Sequence, residues 1–269
     1  MKNKIIDCVT FFNENFIFNL RYNILKDYVD HFVVCESKYD HKGRKKELNF
    51  SINKDLSKSK IHYIILDEPF AMNNDPWQNQ AYQREYMLNK ISFANNEDYI
   101  FFSDPDEIPK PEILKNFELK KKYGIFLQKC FNFKFNLFNP FESPWEGTRV
   151  AKKKNLKSID YLRQKIKKKN LNYNFLRFDK EKDIEIFDDA GWHFNNIMKP
   201  EKISLKLKSF AHEEFAANKY SSIEIIEEKI KKGIDLFERN HKYKKVHIDE
   251  SFPKFLLDNL DKFQEFIVK

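Results

Sequence analysis

Apolar positions along the chain fall into short runs separated by amphipathic stretches. Residues 4–12, 31–36, 60–66 and 98–103 are runs of strand length, whereas Leu20, Ile24, Leu25 and Tyr28 recur at helical spacing within residues 14–28. A second long helix is expected over residues 77–95. The order strand, helix, strand, strand, helix, strand predicts an α/β sheet with crossover helices. Residues 99–102 (Tyr-Ile-Phe-Phe) show no alternation at all, as in a strand covered on both faces. Beyond them the pattern predicts a proline-started helix over 111–122, a phenylalanine-rich strand pair or long ribbon over 124–138, a strand with a turn over 184–194, and helices over 199–210 and 222–237. Residues 156–170 form a very basic segment.

The run at 98–103 leads directly into Asp104-Pro105-Asp106-Glu107 and is stopped by Pro109. Open sheets of this kind bind ligands beyond the carboxyl ends of their strands. Three carboxylates at such an end could hold Mg or Mn and leave coordination positions for a phosphate. An Asp-Pro turn with an ordinary helix cap is the plainer reading of the same residues. Other polar groups beside aromatics stand at Phe11-Phe12-Asn13-Glu14 and Glu36-Ser37, both at predicted strand ends, at residues 80–85, and at Asp189-Ala-Gly-Trp-His193. Arg84 lies on the helix leading into the acidic strand, where its fork could pair with a diphosphate or orient a carboxylate. Trp192 with His193 offers a flat ring beside an imidazole, suited to sugar stacking or to a metal ligand.

Charge changes this picture little. Lys and Arg number 49 against 41 Asp and Glu, a net charge of +8. That admits a polyanion-binding or nucleic-acid-binding protein, yet the excess is mostly lysine, and the charge leaves the carboxylates at strand ends unexplained. A metal-dependent nucleotidyltransferase or phosphohydrolase could use the same carboxylates, but five glycines include no Gly-rich phosphate loop. Cys8, Cys35 and Cys130 are few and far apart, as expected of reduced, buried thiols in a cytoplasmic protein. No leader and no 18-residue apolar stretch is evident, so membrane contact is expected to be peripheral at most.

Taken in order, several blocks resemble glycosyltransferase family 17. They are Phe12-Asn13-Glu14 with Leu20-Arg21, Val33-Val34-Cys35-Glu36-Ser37, Tyr82-Gln83-Arg84 and Ser103-Asp104-Pro105-Asp106-Glu107-Ile108-Pro109. Gly147-Thr148-Arg149, Ala190-Gly191-Trp192-His193-Phe194 and Ser209-Phe210-Ala211-His212-Glu213-Glu214 complete the set. The family contains the beta-1,4-mannosyl-glycoprotein 4-beta-N-acetylglucosaminyltransferases. The resemblance implies a GT-A-like fold, a mixed sheet flanked by helices that binds a nucleotide sugar. It also implies a divalent ion, Mn or Mg, held by an aspartate triplet against the donor diphosphate, and inversion at the transferred sugar.

On that basis one domain over residues 1–269 is expected, with a nucleotide-binding half (1–110), an acceptor and catalytic half (111–220) and a helical C-terminal segment (221–269). Asp106 is the first choice for coordination, with Asp104 acting through water or on the ribose and His193 a further ligand. Inversion needs one carboxylate as general base. Asp189 and Glu213 are the candidates, and Asp189 is preferred because Trp192 could stack on the acceptor sugar nearby. Phe11, Asn13 and Glu36 would hold nucleobase and ribose, while Thr148 and Arg149 would contact phosphate or acceptor. The expected donor is a UDP-sugar, the acceptor a glycan or lipid-linked sugar, and no nucleic acid is expected as partner.

Overall fold

The computed structural model describes residues 2–52, 57, 60–209 and 218–269. Strand β1 (Ile5–Phe11) lies between β2 (His31–Ser37) and β4 (Tyr99–Ser103), and β3 (Ile61–Leu66) flanks β2, all parallel. Helix α1 (Asn15–Leu25) connects β1 to β2, and α2 (Pro76–Asn89) precedes β4. Asp75 starts α2 through a reciprocal cap, its carboxylate accepting from the Gln78 amide while the Gln78 side chain accepts from the Asp75 amide, with Pro76 in the first turn.

Successive residues of the central strands feed opposite cores, which is why these runs carry no polar alternation. Ile5, Val9, Tyr99 and Phe101 pack with Ile17 and Leu20 of α1 on one face. Ile6, Cys8, Ile100 and Phe102 pack with Met87 of α2 on the other. Each fully buried phenylalanine contributes roughly 1.5 to 3 kcal/mol. Arg21 of α1 is also fully buried, gripping both oxygens of Asp7 and donating to the Glu107 carbonyl and the Ser103 hydroxyl. It ties the first helix to the end of β4.

The second half joins the same sheet. Strand β8 (Trp145–Lys152) runs antiparallel between β4 and β6 (Tyr123–Asn132), making the sheet mixed. Strands β9 (Ile184–Phe187) and β10 (Gly191–Asn195) follow one another along β6, both parallel to it. The short β5 (Glu107–Pro109) pairs antiparallel with β10, and β7 (Leu137–Phe138) and β11 (Lys244–Lys245) continue the sheet beyond β6. Helices α3 (Pro111–Leu114), α4 (Ile159–Lys165), α5 (Pro200–Ser209), α6 (Asn218–Ser221), α7 (Ile223–Lys232) and α8 (Lys254–Leu257) surround it.

Several expectations needed correcting. The helix over 111–122 stops at Leu114, because Phe117 and Leu119, two positions apart, are both buried and require an extended backbone. Helix α7 ends at Lys232, where Gly233 turns left-handed at φ 63°. Residues 221–269 are helical only in part, since β11 pairs with β7. The basic segment 156–170 conceals α4, whose Ile159 and Leu162, with Ile166 beyond, are buried at helical spacing. Strand β8 was not anticipated.

Candidate active site

The carboxyl ends of β1, β2 and β4 open on a cavity of about 500 Å³. Phe11, Phe12 and Glu14 line it from β1, Ser37 from β2, Asp104 and Asp106 from the turn after β4, and His193 from β10. This is the strand-end position at which open α/β sheets hold ligands.

The three neighbouring carboxylates have different surroundings. Glu107 is fully buried and saturated: Trp145 Nε1 and Arg163 Nη2 each donate to Oε1 at 2.6 Å, while Arg163 Nη1 at 2.9 Å and the Asp104 amide at 3.1 Å donate to Oε2. Asp104 accepts from Arg163 Nη2 at 2.7 Å. Desolvation raises its pKa, but Arg163 beside it, with Arg84, His193 and Lys206 farther off, outweighs this and holds the carboxyl below its ordinary range. Asp106 is buried, yet the neighbouring side-chain nitrogens stand back, His193 Nε2 at 3.6 Å from Oδ1 and Lys206 Nζ at 3.7 Å from Oδ2. Neither contact is a hydrogen bond. Asp106 is thus poised over the cavity, and Glu107 serves as the buried anchor of the turn.

His193 reaches the cavity through strand alternation. Along β10 it lies opposite Glu107 on one side and Cys130 on the other, and its ring packs on Trp145 at 4.8 Å. Trp192, its neighbour, therefore faces the other side of the sheet. Gly191 holds this strand close to β5, since a Cβ there would stand 2.2 Å from the Ile108 carbonyl oxygen. Across the cavity Asp235 accepts from the Arg239 side chain and from the Phe237 and Arg239 amides, and Arg239 pairs with Glu142 at 2.7 Å. Glu14 is the remaining carboxylate of the β1 end. Its Oε2 accepts from the Phe12 and Asn13 amides, and burial raises its pKa against the opposing pull of Lys206 and those amides.

Phe11, Asp104, Asp106 and His193 of the sequence-derived set all line this one cavity. Others of the expected set do not. Trp192 is buried in the core, its indole donating to the Ser251 carbonyl, so its face cannot reach a sugar in the cavity. Asp189 lies outside the cavity lining, half exposed and paired with Lys110 and Lys129. Arg84 is buried against Asp160 and the Phe102 ring, facing the protein interior. Thr148 is fully buried between Ser103, Gln128 and the Glu107 carbonyl, and Arg149 is spent on the carbonyls of Glu146, Gly147 and Ile166.

Glu36 is buried too, accepting from Lys46, Tyr63 and the amides of Asn49 and Phe50, so it shapes the wall without touching the cavity. Asn13 sits beside the lining, its amide held by Glu14. Glu213 lies outside the described residues. Arg163, Lys206, Glu142, Asp235 and Arg239 were not anticipated. Arg163 had one legible signal, its place one residue after the apolar Leu162 within the period that builds α4.

The model of glycosyltransferase family 17 matches residues 1–267. The chain belongs to this family. Curated relatives include the beta-1,4-mannosyl-glycoprotein 4-beta-N-acetylglucosaminyltransferases of Rattus norvegicus, 22% identical over 97% of this chain, and of Homo sapiens, 23% identical over 97%. The family 17 chain spans about half of each, 54% of their length. Among solved structures, the Mycobacterium tuberculosis glucosyl-3-phosphoglycerate synthase in complex with Mn2+, UDP-glucose and phosphoglyceric acid aligns at 12% identity with a TM-score of 0.38, covering 95% of this chain and 91% of that one. HddC from Yersinia pseudotuberculosis aligns at 12% identity with a TM-score of 0.38, covering 70% and 92%. Among the described residues no helix is long and apolar enough to cross a membrane.

Proposed function

We propose that this family 17 chain is an inverting glycosyltransferase of GT-A type. It moves a hexose, N-acetylglucosamine in the first instance, from UDP to a hydroxyl of a glycan or a lipid-linked sugar. The observation that carries this reading is Asp106, a buried carboxylate at a strand-end cavity with no side chain within hydrogen-bond distance among the described residues. The free thiols Cys8, Cys35 and Cys130 suit a cytoplasmic setting.

The donor set around Asp106 fits a divalent cation. Hard carboxylate oxygens with one imidazole favour Mn over Mg. Among the described residues no group of three or more His, Cys, Asp or Glu side chains is placed to hold a metal ion by itself, so phosphate oxygens of the donor would have to complete the coordination. Asp106 and His193, with Asp104 directly or through water, would hold the ion and leave positions for phosphate oxygens. Such an ion neutralises the charge that gathers on the departing diphosphate. Lys206 brings a positive charge to 3.7 Å from Asp106 Oδ2. Phe11 and Phe12 offer apolar surface to the nucleobase, and Arg163 keeps Asp104 ionised and the turn rigid.

For the base, Glu14 is the cavity carboxylate best prepared to accept a proton. Glu142 and Asp235 are committed to Arg239, whereas Glu14 is held by two backbone amides on one oxygen and is made more basic by burial. Glu213, four positions beyond the end of α5, is the alternative from the sequence. The chemistry is tested by incubating the chain with UDP-N-acetylglucosamine, Mn and a panel of glycan and lipid-linked acceptors. Release of UDP together with a new glycosidic bond supports the reading. Release of pyrophosphate or inorganic phosphate instead would overturn it.

A further inference from the structure

Residues 165–182 carry seven Lys or Arg against two Asp or Glu, so five of the eight excess positive charges of the chain fall within these 18 residues. The same segment holds the densest exposed apolar group among the described residues. Phe178 is 87% exposed, Phe175 76% and Leu176 61%, with Leu171 and Tyr173 beside them. These side chains are displayed by an ordered loop. The Lys182 ammonium donates to the Asn174 and Arg177 carbonyls, the Asn174 side chain accepts from the Leu176 amide, and Arg177 pairs with Asp179 at 2.7 Å.

Large apolar side chains rimmed by lysines suit one surface above others, a bilayer of anionic lipid, in which the rings enter the headgroup boundary and the ammonium groups meet phosphates. Phe could also stack on nucleobases, but Leu171 and Leu176 have no ring with which to do so. The root of the loop is fixed to β8, beside the residues that brace the candidate active site. It leaves α4 just beyond Arg163, the Ile166 carbonyl accepts from Arg149, and the Lys168 amide donates to Glu146. We propose that residues 171–178 and the lysines around them dock the protein on an anionic phospholipid bilayer, holding the cavity at the lipid surface. The proposal does not depend on the glycosyl-transfer chemistry, because docking is measured without donor or acceptor.

The test is co-sedimentation of the full chain with vesicles of phosphatidylcholine alone, and with about a third phosphatidylglycerol added. Binding is expected only to the anionic vesicles and should weaken steeply as salt rises. Phe175→Ser with Phe178→Ser should abolish it without lowering the melting temperature, since both side chains are exposed. Lys168→Ser with Lys169→Ser should weaken it on the order of fivefold per lysine. Absence of binding to anionic vesicles, or equal binding to both kinds, would overturn the proposal. So would concentration-dependent self-association without lipid that the Phe175/Phe178 variant removes, since the patch would then be an interface between copies.

Discussion

Replacing Arg163 by Met removes the cation shared by Glu107 and Asp104 and leaves Glu107 fully buried with only the Trp145 and Asp104 N–H groups as donors. Breaking a buried pair in this way costs about 3 to 5 kcal/mol, because the remaining charge is uncompensated. For a chain of this length each kcal/mol moves the melting temperature by roughly 2 to 4 °C, so a fall on the order of 10 °C is expected. The assay is a double-mutant cycle by urea unfolding with Arg163→Met, Glu107→Gln and both together. In the double variant the stranded charge is gone, and the two losses should fall short of additivity by about 1 to 3 kcal/mol. A loss below about 1 kcal/mol for Arg163→Met, with additive behaviour, would mean that the pair acts like a surface ion pair. Glu107 would then not be the anchor of the turn.

Glu14→Gln should lower turnover by roughly 10²-fold or more, the usual scale for a general base. It should also stabilise the fold at neutral and alkaline pH. The folded-state pKa of Glu14 is raised by burial, so ionisation costs stability progressively as pH passes the ordinary glutamate range. Thermal melts at about pH 4 and about pH 8 check the sign, and a stability loss that grows with pH would contradict it. Asp189→Asn should change the rate by less than about twofold and stability by under about 1 kcal/mol, because its pairs with Lys110 and Lys129 are half exposed. A loss near 10²-fold would return the base to Asp189. Cys8, Cys35 and Cys130 should resist a disulfide reagent in the native protein and react only on unfolding, since burial raises the pKa of all three, that of Cys35 to about 12. Rapid native-state modification would show that one of these thiols is accessible.

The parallel half of the sheet was legible because its strands are buried on both faces and its first helix carries regular apolar spacing. The remainder was hidden for physical reasons. Strand β8 contains Thr148 and Arg149, which are expected from the sequence to contact phosphate or acceptor but are buried polar residues bonded within the protein. Lysines masked the apolar period of α4, and with it Arg163. At the site, position at a strand end pointed to Phe11, Asp104 and Asp106, and an imidazole beside a flat ring pointed to His193. Neither could separate residues that face the cavity from those that brace it, which is why Glu36 and Trp192 were grouped with them. The alternation of β10 allows only one of the pair Trp192 and His193 to face the cavity. Asp235, Arg239 and Glu142 lie in loops whose approach to the site depends on tertiary packing alone.

The most direct measurement is the thermal shift produced by UDP with and without Mn, on the parent chain and on Asp106→Asn. Binding to the native state raises the melting temperature by an amount that grows with the logarithm of ligand concentration over Kd. The parent should gain stability from UDP only when Mn is present, and Asp106→Asn should lose that gain while its ligand-free melting temperature stays within about two degrees of the parent. Undiminished Mn-dependent stabilisation in Asp106→Asn would contradict the assignment of this carboxylate to the metal and, with it, the reading of the cavity as the donor site.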